Sequence, residues 1–145
     1  MNLVLLRFRI HFKKRIRIIL SKKEKVLCAK YRKGHFEGVL DVMNRLTKIV
    51  NPQKIFMGEK DFQQLYLVKK LLERNYKVKI ISCKTIRDKN KVALSSRNFL
   101  LDKSNLNVAA NVYKKLINIK KNLKNKKNIL NYLNLKKIEL INSFK

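Results

Sequence analysis

The sequence is poor in residues that form turns and in residues that form disulfides or metal sites. It contains 3 glycines, 1 proline, 2 cysteines and no tryptophan among 145 residues. So few turn formers indicate a chain made mainly of regular helices and strands. Cys28 and Cys83 have no partner cysteines at metal-ligand spacing, so we interpret them as free thiols in a reducing cytoplasm and predict no metal site. No apolar run approaches the roughly 18 residues that span a bilayer, so no membrane partner is expected.

Acidic residues are also scarce. Nine Asp and Glu residues face 37 Lys and Arg residues, for a formal net charge of +28. Such a surplus attracts polyanions without regard to sequence. Lysine, at 28 copies, far exceeds arginine, at 9, and lysine, asparagine and isoleucine all have AT-rich codons. Base composition therefore explains the charge about as well as selection for a polyanion does, and nucleic-acid binding is the alternative function.

Hydrophobic periodicity in the middle of the chain predicts an α/β unit. Apolar residues at helical spacing predict a helix over 37–50, which Asn51-Pro52 ends. A strand over 54–57, a helix over 61–74 and a strand over 77–82 follow, and a strand, helix and strand in succession make the two strands parallel. An open parallel sheet binds ligands beyond the carboxyl ends of its strands, which are here residues 58–61 and the segment after residue 83.

The two ends of the chain differ from this unit. Alternation at residues 15–18 suits a half-exposed strand. Ser104 is predicted to cap a helix. Residues 114–145 contain ten lysines and one acid, Glu139, which we interpret as a lysine-rich helical pair of a second lobe. A solvated, partly frayed tail explains that region slightly better than a binding surface.

The segment G-E-K-D-F-Q-Q at residues 58–64 is the first chemical candidate. Gly58 lets the backbone approach a ligand closely, and the following helix directs free N–H groups at it. Lys60 suits a phosphate, while Asp61 either caps the helix or accepts hydrogen bonds from a ribose. Gln64 lies one helical turn beyond Lys60, so both side chains can face one ligand. The alternative is an ordinary helix start with surface polar residues.

Two further segments contain candidate ligand-binding residues. S-S-R-N at residues 95–98 offers two hydroxyls and a guanidinium in succession, which suits a triphosphate. The same four residues could equally begin a helix. R-K-G-H-F-E-G at residues 32–38 places His35 between two glycines, where it either contacts a substrate or packs at a helix entry.

The combination is more specific than its parts. G-H-F-x-G-V, then G-E-K-D-F-Q-Q-L, then T-I-R-D and A-L-S-S-R-N follow one another between residues 34 and 98. In this order and spacing they resemble the pantothenate synthetase (pantoate–β-alanine ligase) family. The similarity extends more loosely over residues 26–123.

The resemblance implies a cytoplasmic, homodimeric ligase that uses ATP and Mg²⁺. The family converts pantoate to pantoyl adenylate with release of pyrophosphate, and the amine of β-alanine then displaces AMP to give pantothenate, a coenzyme A precursor. By similarity, Lys60, Ser95, Ser96 and Arg97 hold the ATP phosphates and form the catalytic group. Gly58 and Asp61 contact the adenosine, the Ile86 backbone borders the adenine, and Gln64 holds pantoate. His35 is a further possible contact.

The fold implied is α/β, with a partial Rossmann-like parallel sheet of nucleotidyltransferase type over 1–101. An incomplete, mainly helical, lysine-rich C-terminal lobe follows over 102–145. The H-x-x-H motif that the family places in its first helix has no counterpart, because His11 and His35 are the only histidines. Lys33 and Lys91 stand where the family usually has proline and glycine.

We therefore expect a truncated gene product or gene model that is inactive or barely active alone. An apolar sheet edge and a tendency to aggregate are expected with it. The alternatives are a degenerate, non-catalytic remnant and a basic polyanion-binding protein. The sequence does not decide whether Met1 is the true start, or whether another polypeptide supplies the missing half.

Overall fold

The computed structural model describes residues 17–144. The chain forms two compact units, Met1–Cys83 and Lys84–Lys145. The predicted boundary between domains, after residue 101, stays a prediction. None of the helices in the described range is both long and apolar enough to cross a membrane.

The first unit is a parallel βαβ arrangement preceded by two helices. The short helix α1 (Cys28–Tyr31) and the long helix α2 (His35–Val50) precede strand β1 (Lys54–Gly58). Helix α3 (Phe62–Asn75) then leads to strand β2 (Lys79–Cys83), which pairs with β1 in parallel. The predicted α/β class and the parallel pairing are both confirmed.

The core of the first unit lies where α2 and β2 pack against α3. Helix α3 buries one stripe, because Leu65, Val68 and Leu72 recur at three- and four-residue spacing on one face. Val68 and Leu72 have no exposed surface at all. The same cluster also contains Leu20, Ala29, Phe36, Leu40, Leu67, Val78 and Ile80.

Helix α2 carries polar residues into this core, and each of them is hydrogen-bonded. Asn44 and Thr47 are both buried. The Tyr76 hydroxyl donates to Asn44 Oδ1 over 2.8 Å, and Thr47 Oγ1 donates to the Met43 carbonyl over 2.8 Å. The helix ends as the Asn51-Pro52 pair predicts, with Asn51 in a left-handed conformation that asparagine tolerates.

The two edges of the small sheet differ. The Lys79 N–H donates to the Gln53 carbonyl at the start of β1 over 2.9 Å. Backbone groups alternate in direction along a strand, so the Ile80 N–H points away from β1, and there it donates to Glu73 Oε1 of α3 over 2.8 Å. On β1, Phe56 is 67% exposed, while the expectation of an apolar sheet edge and of aggregation stays a prediction.

The second unit is mainly helical. It begins with a short hairpin in which Arg87 pairs with Ala93 in an antiparallel bridge. A 3₁₀ turn at Ser96–Leu100 and the helices α4 (Lys103–Leu123) and α5 (Ile129–Ser143) follow. Helices α4 and α5 pack against each other. Val92 and Ala110 are the buried hydrophobic residues of this unit within the described range.

One sequence expectation is wrong in detail. Asp102, and not Ser104, caps α4, because its carboxylate accepts the Asn105 N–H over 2.7 Å. The lysine-rich helical pair expected over residues 114–145 is present as the end of α4 and as α5, whose cap, Asn128, accepts the Asn131 N–H over 3.0 Å. The strand expected at residues 15–18 lies half outside the described residues, and residues 17–20 have no regular secondary structure.

Candidate functional site

Four of the predicted site residues line one cleft in the first unit. The cleft has a volume of about 300 Å³ and is lined by His35, Lys60, Asp61 and Gln64, among others. These side chains come from the start of α2 and from the turn that joins β1 to α3. The cleft therefore lies at the carboxyl end of β1, where a parallel sheet is expected to bind ligands.

The turn between β1 and α3 presents Lys60 and Asp61. Residues Glu59–Asp61 form a single 3₁₀ turn, and α3 begins directly after it. Both side chains are exposed. Asp61 occupies the cap position of α3 but makes no hydrogen bond to the helix, so its carboxylate is not used as a helix cap. A cationic and an anionic side chain thus stand at the mouth of the cleft, next to the positive end of a helix.

Gly58, the last residue of β1, has an ordinary extended backbone, with φ of −73°. Among residues 17–144, and apart from its two chain neighbours, no atom lies within 4 Å of the position that a Cβ would occupy. Neither backbone strain nor packing within the described chain therefore requires a glycine at this strand end.

Glu59 fixes the start of the same turn to the neighbouring strand. The hydroxyl of Ser82, in β2, donates to Glu59 Oε1 over 2.5 Å. Gly58 lies opposite Cys83 at the carboxyl ends of the two strands. The bond therefore joins β2 to the residue that directly follows β1. The backbone that carries Lys60 is consequently tied to β2.

His35 enters the cleft from the first residue of α2. It is partly buried, and its ring meets that of Phe36 edge to face, with 5.0 Å between centroids. Arg32 Nη2 lies 3.3 Å from His35 Nδ1. Gly34 precedes it with φ of +75°, a left-handed conformation that glycine adopts without strain. His35 is thus a helix-entry residue and a cleft residue at once.

Gln63 is the residue of the motif that sequence reasoning left without a role. Its side chain makes three hydrogen bonds to the backbone of the segment before α2: Nε2 donates to the carbonyls of Glu24 (3.2 Å) and Val26 (2.8 Å), and Oε1 accepts the Ala29 N–H (3.3 Å). The signal available in the sequence was the doubled glutamine. Gln63 and Gln64 lie three and four residues beyond Lys60, and both spacings fall on one helix face, so spacing alone does not separate their roles.

The same segment is tied to α3 a second time. Lys70 Nζ donates to Glu24 Oε1 over 2.7 Å, and the Ser21 hydroxyl and backbone N–H donate to Glu24 Oε2 over 2.7 and 2.8 Å. The Lys70 bond, followed by those from Ser21, lowers the pKa of Glu24 from 4.5 to about 2. These hydrogen bonds favour the ionised carboxylate over the protonated one.

Leu27 lies between Val26 and Ala29, which Gln63 contacts, and it has a strained backbone. Its φ is 51° and its ψ is −128°, a region that non-glycine residues rarely occupy and that costs on the order of 1–3 kcal/mol. Leu27 and Cys28 line the same cleft as Lys60. The strain is thus located in the wall of the candidate site.

The other predicted residues lie in the second unit. The Ile86 carbonyl accepts the Leu94 N–H over 3.0 Å in the hairpin. Ser95 caps the 3₁₀ turn, because its hydroxyl accepts the Arg97 N–H over 3.2 Å. Ser96 and Arg97 are both exposed within that turn. The segment thus forms one short turn and does not open a longer helix.

The hairpin of the second unit places Lys91 at its tip. Lys91 has φ of +70°, a left-handed conformation that favours glycine, which is the residue that the family resemblance leads one to expect there. Its carbonyl accepts a bond from Arg87 Nη1 over 3.1 Å. The Arg87 guanidinium also stacks on Tyr113 of α4, 3.7 Å from the ring centroid.

No group of three or more His, Cys, Asp or Glu side chains among residues 17–144 could hold a metal ion. The two cysteines are free thiols, Cys28 exposed and Cys83 half-buried. Asp61 is the residue with a carboxylate among those that line the cleft, and the adjacent Glu59 carboxylate accepts the Ser82 hydroxyl.

A parallel βαβ unit with a lysine-bearing turn at the carboxyl end of its first strand defines an α/β protein of the nucleotide-binding type. The family model for pantoate-beta-alanine ligase matches residues 8–143. The chain belongs to the pantoate-beta-alanine ligase family.

Individual relatives agree with this assignment. The chain is 45% identical over 93 residues to pantothenate synthetase of Flavobacterium psychrophilum, a match that covers 63% of this chain and 33% of that protein. The crystal structure of the Thermus thermophilus enzyme superposes with a TM-score of 0.79 at 27% identity, covering 94% of this chain and 49% of that one.

The Francisella tularensis pantoate-beta-alanine ligase, solved with beta-gamma ATP and beta-alanine, superposes with a TM-score of 0.61 at 37% identity over 68% of this chain and 39% of that one. The chain thus spans less than half the length of each of these three relatives.

Proposed function

We propose that this chain forms the ATP- and pantoate-contacting part of a pantoate–β-alanine ligase. The observation that carries the proposal is the single cleft lined by Lys60, Asp61, Gln64 and His35 in a member of this family. In the reaction, a pantoate carboxylate oxygen attacks the α-phosphorus of ATP, giving pantoyl adenylate and pyrophosphate. The β-alanine amine then attacks the acyl carbon, which releases AMP and forms the amide of pantothenate.

Residues of the first unit would bind and orient the reactants. Lys60 supplies a mobile positive charge for the phosphates, next to the start of α3, where backbone N–H groups also favour an anion. Asp61 has no helix-capping bond and is available for ribose hydroxyls. Gln64, which lines the same cleft as Lys60, is the residue for pantoate. At Gly58 no described residue beyond its chain neighbours comes within 4 Å of the Cβ position, which leaves room for the adenosine.

Residues of the second unit would complete the phosphate contacts. Ser95, Ser96 and Arg97 offer two hydroxyls and a guanidinium on one short turn, and the Ile86 backbone would border the adenine. Mg²⁺ would be carried largely by ATP phosphate oxygens, since such ions commonly use one or two carboxylates plus phosphates. Its role is to neutralise phosphate charge, while the protein residues supply position.

ATP binding to the purified chain, measured by calorimetry, tests the proposal directly. Removing the Lys60 charge with Lys60→Ala should weaken ATP binding at least about tenfold, as expected for a charge-assisted phosphate contact. The control is Lys48→Ala, which removes an exposed lysine near the end of α2 and should change affinity little. Equal affinities for both variants, or no binding by the parent chain, would contradict the proposal.

Catalysis needs a separate measurement. We expect pantoate-dependent ATP–pyrophosphate exchange near background for this chain alone, because members of one catalytic constellation do not act independently. Exchange should rise when the part of the Flavobacterium psychrophilum enzyme that this chain does not match is supplied as a second polypeptide. ATP binding without exchange under either condition would favour a non-catalytic remnant.

Non-specific polyanion binding is the second candidate function. The second unit has fourteen lysines and two arginines against three acids, and Lys136 already pairs with one of those, Glu139. Binding to unrelated DNA that weakens steeply with salt, and that Lys60→Ala does not affect, would support it.

The family resemblance also predicts a cytoplasmic homodimer. Sedimentation analysis over a range of protein concentrations would test the dimer.

A further inference from the structure

Gln63 stands in the middle of the chemical motif, yet both ends of its side-chain amide are bonded to backbone groups of the chain. The NH₂ group donates to the carbonyls of Glu24 and Val26, and the oxygen accepts from Ala29 N–H. All three partners belong to one segment, residues 24–29, which lies 34 or more positions earlier in the sequence. One side chain thus fixes both ends of that segment to the first turn of α3.

The segment held in this way forms part of the cleft wall. Leu27 and Cys28 lie between the carbonyl and the N–H that Gln63 binds, and both line the cleft beside Lys60 and Gln64. The strained φ of 51° at Leu27 persists only if neighbouring contacts hold it. Leu27 is 67% exposed, so burial of its side chain does not provide that restraint. A local turn contributes to it, since the Ala29 N–H also donates to the Val26 carbonyl over 3.1 Å and the Lys30 N–H donates to the Leu27 carbonyl over 3.2 Å. The Gln63 bonds on either side of Leu27 join this turn to α3.

We propose that Gln63 is a positioning residue, which holds residues 24–29 as a fixed wall of the ligand cleft. The inference rests on the proposed function for the identity of the ligands, ATP and pantoate. Gln63 contacts neither reactant in this role: it acts through Leu27 and Cys28. The Glu24–Lys70 pair restrains the same segment only at its beginning, so it does not replace Gln63 at Val26 and Ala29.

Two substitutions separate the hydrogen bonds from the volume of the side chain. Gln63→Glu keeps the length but replaces the donating NH₂ with an acceptor, so the bonds to Glu24 and Val26 are lost. Gln63→Ala removes all three bonds. Lys69→Ala is the matched control, since Lys69 is exposed on the same helix and does not line the cleft.

Amide hydrogen exchange tests the restraint without any ligand. Exchange of the amides in residues 24–29 should become at least about fivefold faster in both Gln63 variants, because the segment then opens independently of the core. Amides around Val68 and Leu72 serve as the reference for global stability and should keep their rates. Unchanged exchange in residues 24–29 would overturn the inference, whatever the ligand proves to be.

Ligand protection of Cys28 tests positioning itself. Cys28 is exposed and lines the cleft, while Cys83 serves as an internal reference. With ATP and pantoate added, alkylation of Cys28 by iodoacetamide, followed by mass spectrometry, should slow severalfold in the parent chain and in Lys69→Ala. In the Gln63 variants this protection should be lost.

The alkylation test separates failure of the positioning role from failure of the proposed function. Protection retained in the Gln63 variants, together with faster exchange, would mean that the wall is not needed for binding and would overturn the positioning role. No protection in the parent chain would contradict the proposed function, and the positioning role would fall with it. The exchange data would still report whether Gln63 restrains the segment.

Discussion

The two compact units differ in the number of hydrophobic residues that they bury. The first unit buries ten hydrophobic residues in one cluster, whereas the second buries only Val92 and Ala110 within the described range. Candidate site residues in the first unit therefore stand on elements that pack against a core. Those in the second unit stand on a hairpin and a 3₁₀ turn that are held by local hydrogen bonds.

The candidate site residues of the two units are therefore held in position by different kinds of interaction. A βαβ unit positions Lys60 and Gln64 through long-range packing, so their geometry depends on the whole unit. Ser95 and Arg97 keep their geometry through bonds spanning a few residues, so it depends little on a core. Local order of this kind opens more easily than core order.

The largest expected effect is on the core of the first unit. Leu72→Ala should destabilise that unit by roughly 3 kcal/mol, because it removes a fully buried leucine and leaves a cavity. The matched change Leu116→Ala, in α4, removes a side chain that is 47% exposed and should cost roughly 1 kcal/mol or less. Urea unfolding followed by hydrogen exchange for each unit measures both. Similar costs for the two changes would contradict the distinction between the units.

A smaller effect concerns acid stability of the first unit. The pKa of Glu24 is lowered from 4.5 to about 2 by Lys70 and Ser21, so the stabilisation is present above pH 4.5. It is lost as the pH falls from about 4.5 to about 2, because the folded state then has to accept a proton on a carboxylate that its partners hold ionised.

The contribution of this pair is small, because the Lys70 side chain is 54% exposed and solvent screens the two charges. Glu24→Gln should lower stability at pH 7 and flatten the pH dependence over that window. Urea unfolding at pH 7, 5 and 3 measures it. A variant whose pH dependence matches that of the parent chain would show that Glu24 is not the group responsible.

The smallest effect concerns the hairpin of the second unit. Lys91→Gly should stabilise that hairpin by up to about 1 kcal/mol, because glycine adopts a positive φ without steric cost. Lys89→Gly is the matched control: Lys89 is outside the left-handed region, so glycine there only adds freedom to the unfolded chain. Exchange rates of the Val92 and Leu94 amides report the outcome. Equal responses to both substitutions would argue against strain at Lys91.

Much of the first unit could be predicted because its signals are local. Helical spacing of apolar residues fixed α2 and α3 to within two residues at their starts, and the glycine after a short apolar run fixed the end of β1. The convergence of Lys60, Asp61 and Gln64 on one cleft follows from the same strand–turn–helix pattern. The roles assigned to those residues, and to Ser95, Ser96 and Arg97, stay predictions.

What could not be predicted depends on residues far apart in the sequence. The bonds from Gln63 to residues 24–29 form only when the chain folds back on itself, and no periodicity marks them. The choice of Asp102 over Ser104 as a helix cap depends on a backbone position that differs by two residues. Boundaries of this kind are decided by single hydrogen bonds.

The carboxylate of Glu73 makes the two outer edges of the small sheet unequal as places where a further strand can pair. By accepting the Ile80 N–H, it covers one donor on the outer edge of β2, so an incoming strand meets a carboxylate there in place of a free donor. No such side-chain bond to the outer edge of β1 is present among the described residues 17–144. Edge strands with unpaired backbone groups are the places where further strands pair. Strand addition to this sheet is therefore expected at β1 in preference to β2.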